Sequence, residues 1–375
     1  MTRKKGMPGN SQLLLGIIVV TMLIAAVHLG IFSFRETEDS HCWNTVSEYF
    51  LGREEIFHVS PHCLLNPLIP AASALLSRVL GISISASYLP LNLAALVGSG
   101  ILLYRIGTSL INGKIAIVAA LLFLIDFHTQ YYGFAVVPDA VTWFFELLLI
   151  HLAQRVWKEA RLSIKSIGFQ GFIAGLAVLV KMNLVFLLPL IPIGLFRRGG
   201  MRNYRLIVIY GMVALLLPAL FYSFEYSHVG ILPWGSLASG LMERSPSLPD
   251  HITAFVSAFL YTIPLMVVGL TGISFKSHEK SFILATAGAL VTPIFLWPYV
   301  MSRFSFSLFP LLLPLAAIGL WRAAEWITPS RRGRQAVLGA LLVGLLVLGM
   351  LRMKLTFSHQ THLEFVLERA TFIVR

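Results

Sequence analysis

Charged residues are scarce in this chain: Asp, Glu, Lys and Arg make up 12% of its 375 residues, against roughly 25% in soluble domains. Hydrophobic residues reach 57%. A water-soluble fold of this length cannot bury that much apolar surface, which excludes a soluble enzyme. Acids are the scarcer sign, 17 against 29 Lys and Arg, for a net charge of +12. The basic residues sit in short clusters between apolar runs, as in cytoplasmic loops, so nucleic acid is not an expected partner. Cysteine is nearly absent, with Cys42 and Cys63 alone. No Cys-x-x-Cys or Cys/His spacing is present, which excludes a zinc site of that type. A disulfide and a pair of free thiols both remain open. Internal repeats, low-complexity tracts and a soluble domain are lacking as well.

What the chain does have is long apolar runs, each close to the roughly 20 residues a spanning helix needs. They fall at 12–34, 86–104, 114–127, 136–154, 166–181, 183–196, 206–224, 252–272, 281–299, 304–321 and 335–351. The first follows Arg3, Lys4 and Lys5. It is too long for a signal peptide and has no small-x-small cleavage site, so an uncleaved first helix is expected. A further run, 62–80, follows Pro61 and contains Pro67 and Pro70. If it lies on the outer surface as a juxtamembrane helix, 19 of the 29 Lys and Arg face the cytoplasm; if it spans, only 11 do. The positive-inside rule selects the first arrangement. The expected fold is therefore all-α, a polytopic bundle of about eleven transmembrane helices, N-terminus inside and C-terminus outside. The whole chain, 1–375, forms one transmembrane domain.

This topology leaves one large outer loop at about 35–85, which holds 6 of the 17 acids: Glu36, Glu38, Asp39, Glu48, Glu54 and Glu55. Its stretch 43–57 can place Trp43, Val46, Tyr49, Phe50 and Phe57 on one face, as an interfacial helix does. A second outer loop, about 225–251, is rich in turn residues, and a short outer tail covers 352–375. Ionisable residues near membrane depth are costly and mark function. Asp39, Asp126, Asp139, Lys181 and Arg303 all fall at the outer boundary. Carboxylates there can accept a hydroxyl proton, and cations can stabilise a phosphate leaving group. Simpler roles compete. Lys181 and Arg303 can snorkel to headgroups, Asp126 can hydrogen-bond a neighbouring loop, and Asp39 and Asp139 can cap helices. His58 and His62 can be loop residues, and Glu146 should face the bundle interior.

The order of these features resembles the GT-C superfamily of membrane glycosyltransferases, in the branch of dolichyl-phosphate-mannose protein mannosyltransferases and bacterial lipid A aminoarabinose transferases. Asp39, Trp43 and Ser47 match the acid, aromatic and small-residue spacing after the first helix. Phe57 to His62 is similar to the His/Pro-rich segment that opens a juxtamembrane helix. Asp126 to Asp139, Val180-Lys181-Met182-Asn183 and Ser302-Arg303-Phe304 resemble the later motifs. The resemblance implies an inverting glycosyltransferase, with a polyprenyl-phosphate-linked sugar as donor and a protein, lipid or glycan hydroxyl as acceptor. It implies Asp39 as catalytic base, with Glu38 beside it as the other candidate acid. Lys181, Arg303 and one of His58 and His62 would hold the phosphate, and Asp139 or Asp126 would orient acceptor or sugar. No cofactor is required by these residues; a divalent metal on Glu38 and Asp39 stays open. The expected setting is a plasma, inner or endoplasmic reticulum membrane, with the site on the non-cytoplasmic side. The rival readings are a transporter or flippase of a lipid-linked sugar, which should show two similar halves around a midplane path, and a non-catalytic subunit of the same fold.

Overall fold

The computed structural model describes residues 10–34, 36–37, 39–55, 61–159, 162–229, 247–271, 277–296 and 301–373. Helices and turns account for them, with no strand among the described residues. The first helix, α1 (Asn10–Phe32), is apolar throughout. The stretch expected as an outer loop then folds into three short helices: α2 (Ser40–Phe50), α3 (Pro61–Leu64) and α4 (Leu68–Leu80). At 13 residues α4 is about 20 Å long, too short for a hydrocarbon core of about 30 Å. It stops at Gly81, whose φ of +66° is open to glycine without strain.

The bundle continues with α5 (Ile84–Leu110), α6 (Gly113–Ile125), α7 (Phe127–Gly133), α8 (Asp139–Lys158) and α9 (Ile164–Val180). Ser83, Asn112 and Ser163 start three of these helices by accepting from backbone N–H groups one turn in. After a 3-10 turn at Met182–Leu187 come α10 (Leu190–Gly199) and α11 (Tyr204–Val229). The remaining helices are α12 (Leu248–Phe259), α13 (Ile263–Leu270), α14 (Ser277–Leu296), α15 (Ser302–Ser305), α16 (Phe309–Ile327) and α17 (Arg331–Ile373). The last of these runs unbroken through 352–373.

Among the described residues six helical segments are long and apolar enough to cross a membrane, or eight if each bent pair counts as one span. The pairs are α6 with α7, bent by 51°, and α12 with α13, bent by 90°. The polytopic all-helical reading therefore stands, and eleven remains an expectation. The shortfall has physical causes. The run 166–181 yields a 17-residue helix, 183–196 is divided between a 3-10 turn and a ten-residue helix, and 136–154 carries Asp139 and Glu146. Most of the outer loop expected at 225–251 lies outside the described residues.

Close approach between helices comes from small residues, as expected where lipid gives no hydrophobic drive to association. A Cβ at Gly171 would lie 2.8 Å from the Tyr210 carbonyl oxygen, and one at Gly175 2.9 Å from that of Ala214, so α9 and α11 meet at backbone distance. Gly269 and Gly319 do the same between α13 and α16, each facing a backbone carbonyl of the other helix. At the centre, Phe123, Trp143, Phe306 and Phe309 stack with centroid separations of 4.8–6.4 Å. This cluster joins α6 and α8 to the chain immediately after α15.

The two cysteines form a disulfide from α2 to α3, with Cα atoms 5.8 Å apart, closing the question that residue types leave open. A bulky residue at Gly319 would meet the Leu265 carbonyl with no flexible side chain to yield. Gly319→Val should cost on the order of 3 kcal/mol, seen as a lower thermal midpoint in detergent, while Gly288→Ala, facing open space, should leave the midpoint unchanged.

Candidate functional site

Four charged side chains from four separate parts of the chain meet at one end of the bundle. Asp39 stands just before α2. The start of that helix is pinned by Ser40, whose Oγ donates to the Val136 carbonyl at 3.0 Å and accepts from the Thr37 N–H at 2.7 Å. Asp39 occupies the cap position but its side chain makes no cap hydrogen bond. The carboxylate instead pairs with the Arg303 guanidinium. Asp139 opens α8, and its Oδ1 accepts from Lys181 Nζ at 3.0 Å. Lys181 is available because α9 ends there: the residue is extended, at φ −157° and ψ 121°. The freed N–H of Met182 donates to Asn66 Oδ1 at 2.9 Å, so the segment between α3 and α4 is fastened to the break.

The two pairs form one cluster. Phe304 lies beneath both cations, 5.2 Å from the Arg303 guanidinium and 5.4 Å from Lys181 Nζ. Tyr132 takes the other contact with Arg303, at 5.6 Å. Asp139 is near enough to feel both Lys181 and Arg303. Three of the four side chains are 5–15% exposed, whereas Asp39 is 43% exposed. The cluster thus has a solvent-facing acid and a deep acid, each holding a cation. An attractive pair in a low-dielectric setting is strong, but the cost of stripping water from both ions offsets much of it. A site of this kind can accept a proton at its exposed acid and can offer two cations to an anion that displaces the carboxylates.

Next to Lys181 a cleft is lined by Asn183, Pro293, Ile294, Phe304 and Ser307. Glu146 lies two turns below Asp139 on α8, buried and within electrostatic reach of Lys181. It faces the bundle, as its position in the run 136–154 suggests.

The remaining expected residues divide. Asp126 does not join the cluster. It sits at the α6–α7 bend, accepts from the His128 N–H at 2.7 Å and lies 3.4 Å from the His128 ring nitrogen, so it acts as a cap and a histidine partner. His62 lies in α3, with its side chain outside the described residues. Glu38 and His58 lie outside the described residues altogether. Tyr132, Asn66 and Ser307 belong to the site's surroundings and carry no local signal. Phe304 was readable as the aromatic after Arg303. Among the described residues no three His, Cys, Asp or Glu side chains gather in a way that would hold a metal ion, and Asp39 is engaged with Arg303.

The chain matches the family model described as dolichyl-phosphate-mannose-protein mannosyltransferase over residues 61–223, the part holding His62, Asp126, Asp139 and Lys181. The structure is similar to ArnT from Cupriavidus metallidurans bound to undecaprenyl phosphate, with a TM-score of 0.61 at 10% identity over 90% of this chain and 70% of that one. The fold is that of the GT-C superfamily. A second GT-C match is the Archaeoglobus fulgidus oligosaccharyltransferase tethered to an acceptor peptide, with a TM-score of 0.55, 12% identity, and coverage of 89% of this chain. A third is AglB from the same organism, in complex with an inhibitory peptide and a dolichol-phosphate, with a TM-score of 0.52, 14% identity and 89% coverage. The chain spans about half the length of the two archaeal proteins, 53% and 54%. One further Archaeoglobus structure of the fold was solved with zinc and sulfate. A sequence search of curated proteins finds no significant match. The family match and the shared GT-C fold agree with the resemblance read from the motifs.

Removing one member of the deep pair should be more damaging than removing one of the exposed pair. Asp139→Asn leaves Lys181 buried without its counter-charge, at a cost of about 3 kcal/mol. Asp39→Asn should cost about 1 kcal/mol or less, since its carboxylate is already partly hydrated and Asp139 still acts on the Arg303 guanidinium. Denaturation followed by tryptophan fluorescence would rank the two.

Proposed function

We propose that the protein transfers a sugar from a polyprenyl-phosphate donor to an acceptor hydroxyl at the non-cytoplasmic face of its membrane. The observation that carries this reading is the quartet of Asp39, Arg303, Asp139 and Lys181 at one end of the bundle, beside a cleft with an apolar wall of Pro293, Ile294 and Phe304. An acid exposed to solvent suits an acceptor; cations placed over an aromatic beside apolar surface suit a lipid phosphate. ArnT, of the same fold, was solved with such a phosphate bound.

In this scheme the donor phosphate enters beside Phe304 and takes up Arg303 and Lys181, with His58 or His62 as a further donor. Arg303 then releases Asp39. The carboxylate removes the proton of the acceptor hydroxyl as its oxygen forms a bond to the anomeric carbon. The bond from that carbon to the phosphate oxygen breaks on the opposite side, which inverts the configuration. The polyprenyl phosphate leaves with the bonding electrons, its charge stabilised by the two cations. Asp139 keeps Lys181 in place and orients the acceptor or sugar; Asp126, committed to His128, is not used. Glu38 is the alternative base.

Two observations support the orientation. The disulfide from Cys42 to Cys63 lies beside Asp39 in sequence and forms in oxidising compartments, not in the cytosol. The other end of α8, 20 residues or about 30 Å from Asp139, carries Arg155 and Lys158 and neighbours Arg197 and Arg198. Basic clusters of this kind stay on the cytoplasmic side.

The test is transfer from radiolabelled polyprenyl-phosphate sugars to crude membrane acceptors by the purified protein in liposomes. Asp39→Asn should lower the rate by about 10²- to 10⁴-fold with the folded protein unchanged in yield. Wild-type activity in that variant would remove Asp39 from the mechanism. Movement of lipid-linked sugar between leaflets, with no transfer from any donor, would replace the enzyme by a transporter.

A further inference from the structure

Tyr132 stands among the charges of the site and has no part in the scheme above. It is the next-to-last residue of α7, and that short helix is fixed from several sides. Asp126 caps it, the Gln130 amide donates to the Leu124 carbonyl, and a Cβ at Gly133 would lie 3.1 Å from Leu96 Cδ1. The Tyr132 ring stacks with His128 at 6.2 Å and meets Tyr131 edge-on at 4.7 Å. Its third ring contact is the Arg303 guanidinium.

The hydroxyl is set apart from those of the other packed tyrosines. Tyr88, Tyr210 and Tyr222 each donate to a backbone carbonyl. Tyr132 has no hydrogen-bond partner among the described residues, although Arg303, Asp139 and Asp39 all act on it electrostatically. Arg303 Nε is buried without a partner as well. Two hydrogen-bonding groups thus stand unmet at one place, and such groups in a packed structure call for an explanation. The plainer role is an interfacial tyrosine with its ring toward lipid and its hydroxyl in water. Here the ring packs against the core instead.

Position adds the direction. The cleft with the apolar wall lies on the Lys181 side, along Pro293 and Ile294. A donor phosphate shared by Lys181 and Arg303 over Phe304 would send its prenyl chain that way. Its sugar then falls on the opposite side, by Arg303 and the exposed Asp39, where Tyr132 stands. We infer that Tyr132 contacts the donor sugar, its phenol hydroxyl hydrogen-bonding a sugar hydroxyl and so helping to select the sugar. The inference rests on the proposed donor and deepens it. A hydroxyl held at a fixed position discriminates against a sugar that cannot meet it.

Tyr132→Phe removes one oxygen and keeps the ring contacts with Arg303 and His128. The full-length protein in lipid vesicles would be offered dolichyl-phosphate mannose, dolichyl-phosphate glucose and bare dolichyl phosphate, with no acceptor present, and the retained lipid counted by native mass spectrometry. The wild type should hold one sugar-bearing lipid more tightly than the bare one. The variant should bind that lipid about fivefold more weakly and bare dolichyl phosphate as before, with its thermal midpoint unchanged. Equal losses on both lipids would make Tyr132 a phosphate ligand and overturn the sugar contact. Unchanged binding of both would overturn it too, as would a wild type that does not distinguish the sugar-bearing lipids from the bare one. Binding is read without turnover, so an absence of transfer would count against the proposed reaction alone.

Discussion

Burying a cation in a helical bundle requires a counter-charge nearby, and the arrangement of this protein's upper end follows from meeting that requirement twice. Lys181 and Arg303 are each 15% exposed. Neither could stay ionised there alone without a penalty of several kcal/mol. Asp139 and Asp39 answer them from α8 and from the chain before α2. For the four charges to meet, three helices must stop or start at the same level: α9 ends at Lys181, α8 begins at Asp139, and α15 begins beside Arg303. Helix ends also expose backbone groups that lipid cannot satisfy. Asn66 takes the Met182 N–H, and Ser40 and Asn92 donate to the carbonyls of Val136 and Ala135.

The same constraint explains why α2, α3 and α4 lie over the bundle without crossing it. They supply Asp39, Ser40 and Asn66, and they close the open helix ends. The disulfide joins the helix that follows Asp39 to the segment that carries Asn66. Tyr88 adds a link from α5, donating to the Trp43 carbonyl at 3.3 Å, and Tyr222 another from α11 to the Leu65 carbonyl at 3.0 Å. Beneath this cover, the aromatic stack of Phe123, Trp143, Phe306 and Phe309 fixes the chain that leaves Arg303. The level of the charged cluster and the core level are therefore one continuous packing problem.

Charged residues gather at both ends of the bundle. One end holds balanced pairs, with an acid for each cation. The other gathers Lys158, Arg197 and Arg198 around the Trp157 ring. In the proposed transfer the balanced pairs open for the donor phosphate.

Much of this was legible in the residue order. Scarce charge and long apolar runs specify a polytopic bundle because no other solvent accommodates them. The one-sided placement of Asp39, Asp139, Lys181 and Arg303 follows from counting helix lengths between them. Partner choice was not legible, because it depends on which helix ends come within about 3 Å. From residue types, Asp39 reads as a helix cap and Asp126 as a hydrogen-bond partner for a neighbouring loop. In the structure Asp126 caps its helix and holds His128, whereas Asp39 leaves its helix uncapped and turns to Arg303. Cys42 and Cys63 pair only because α2 and α3 fold back on each other. The sequence by itself determined the class of fold and the level of the charged residues, since both depend on hydrophobicity summed along the chain. Only the tertiary structure decided which acid meets which cation, because that depends on distances between segments 42 or more residues apart in the chain.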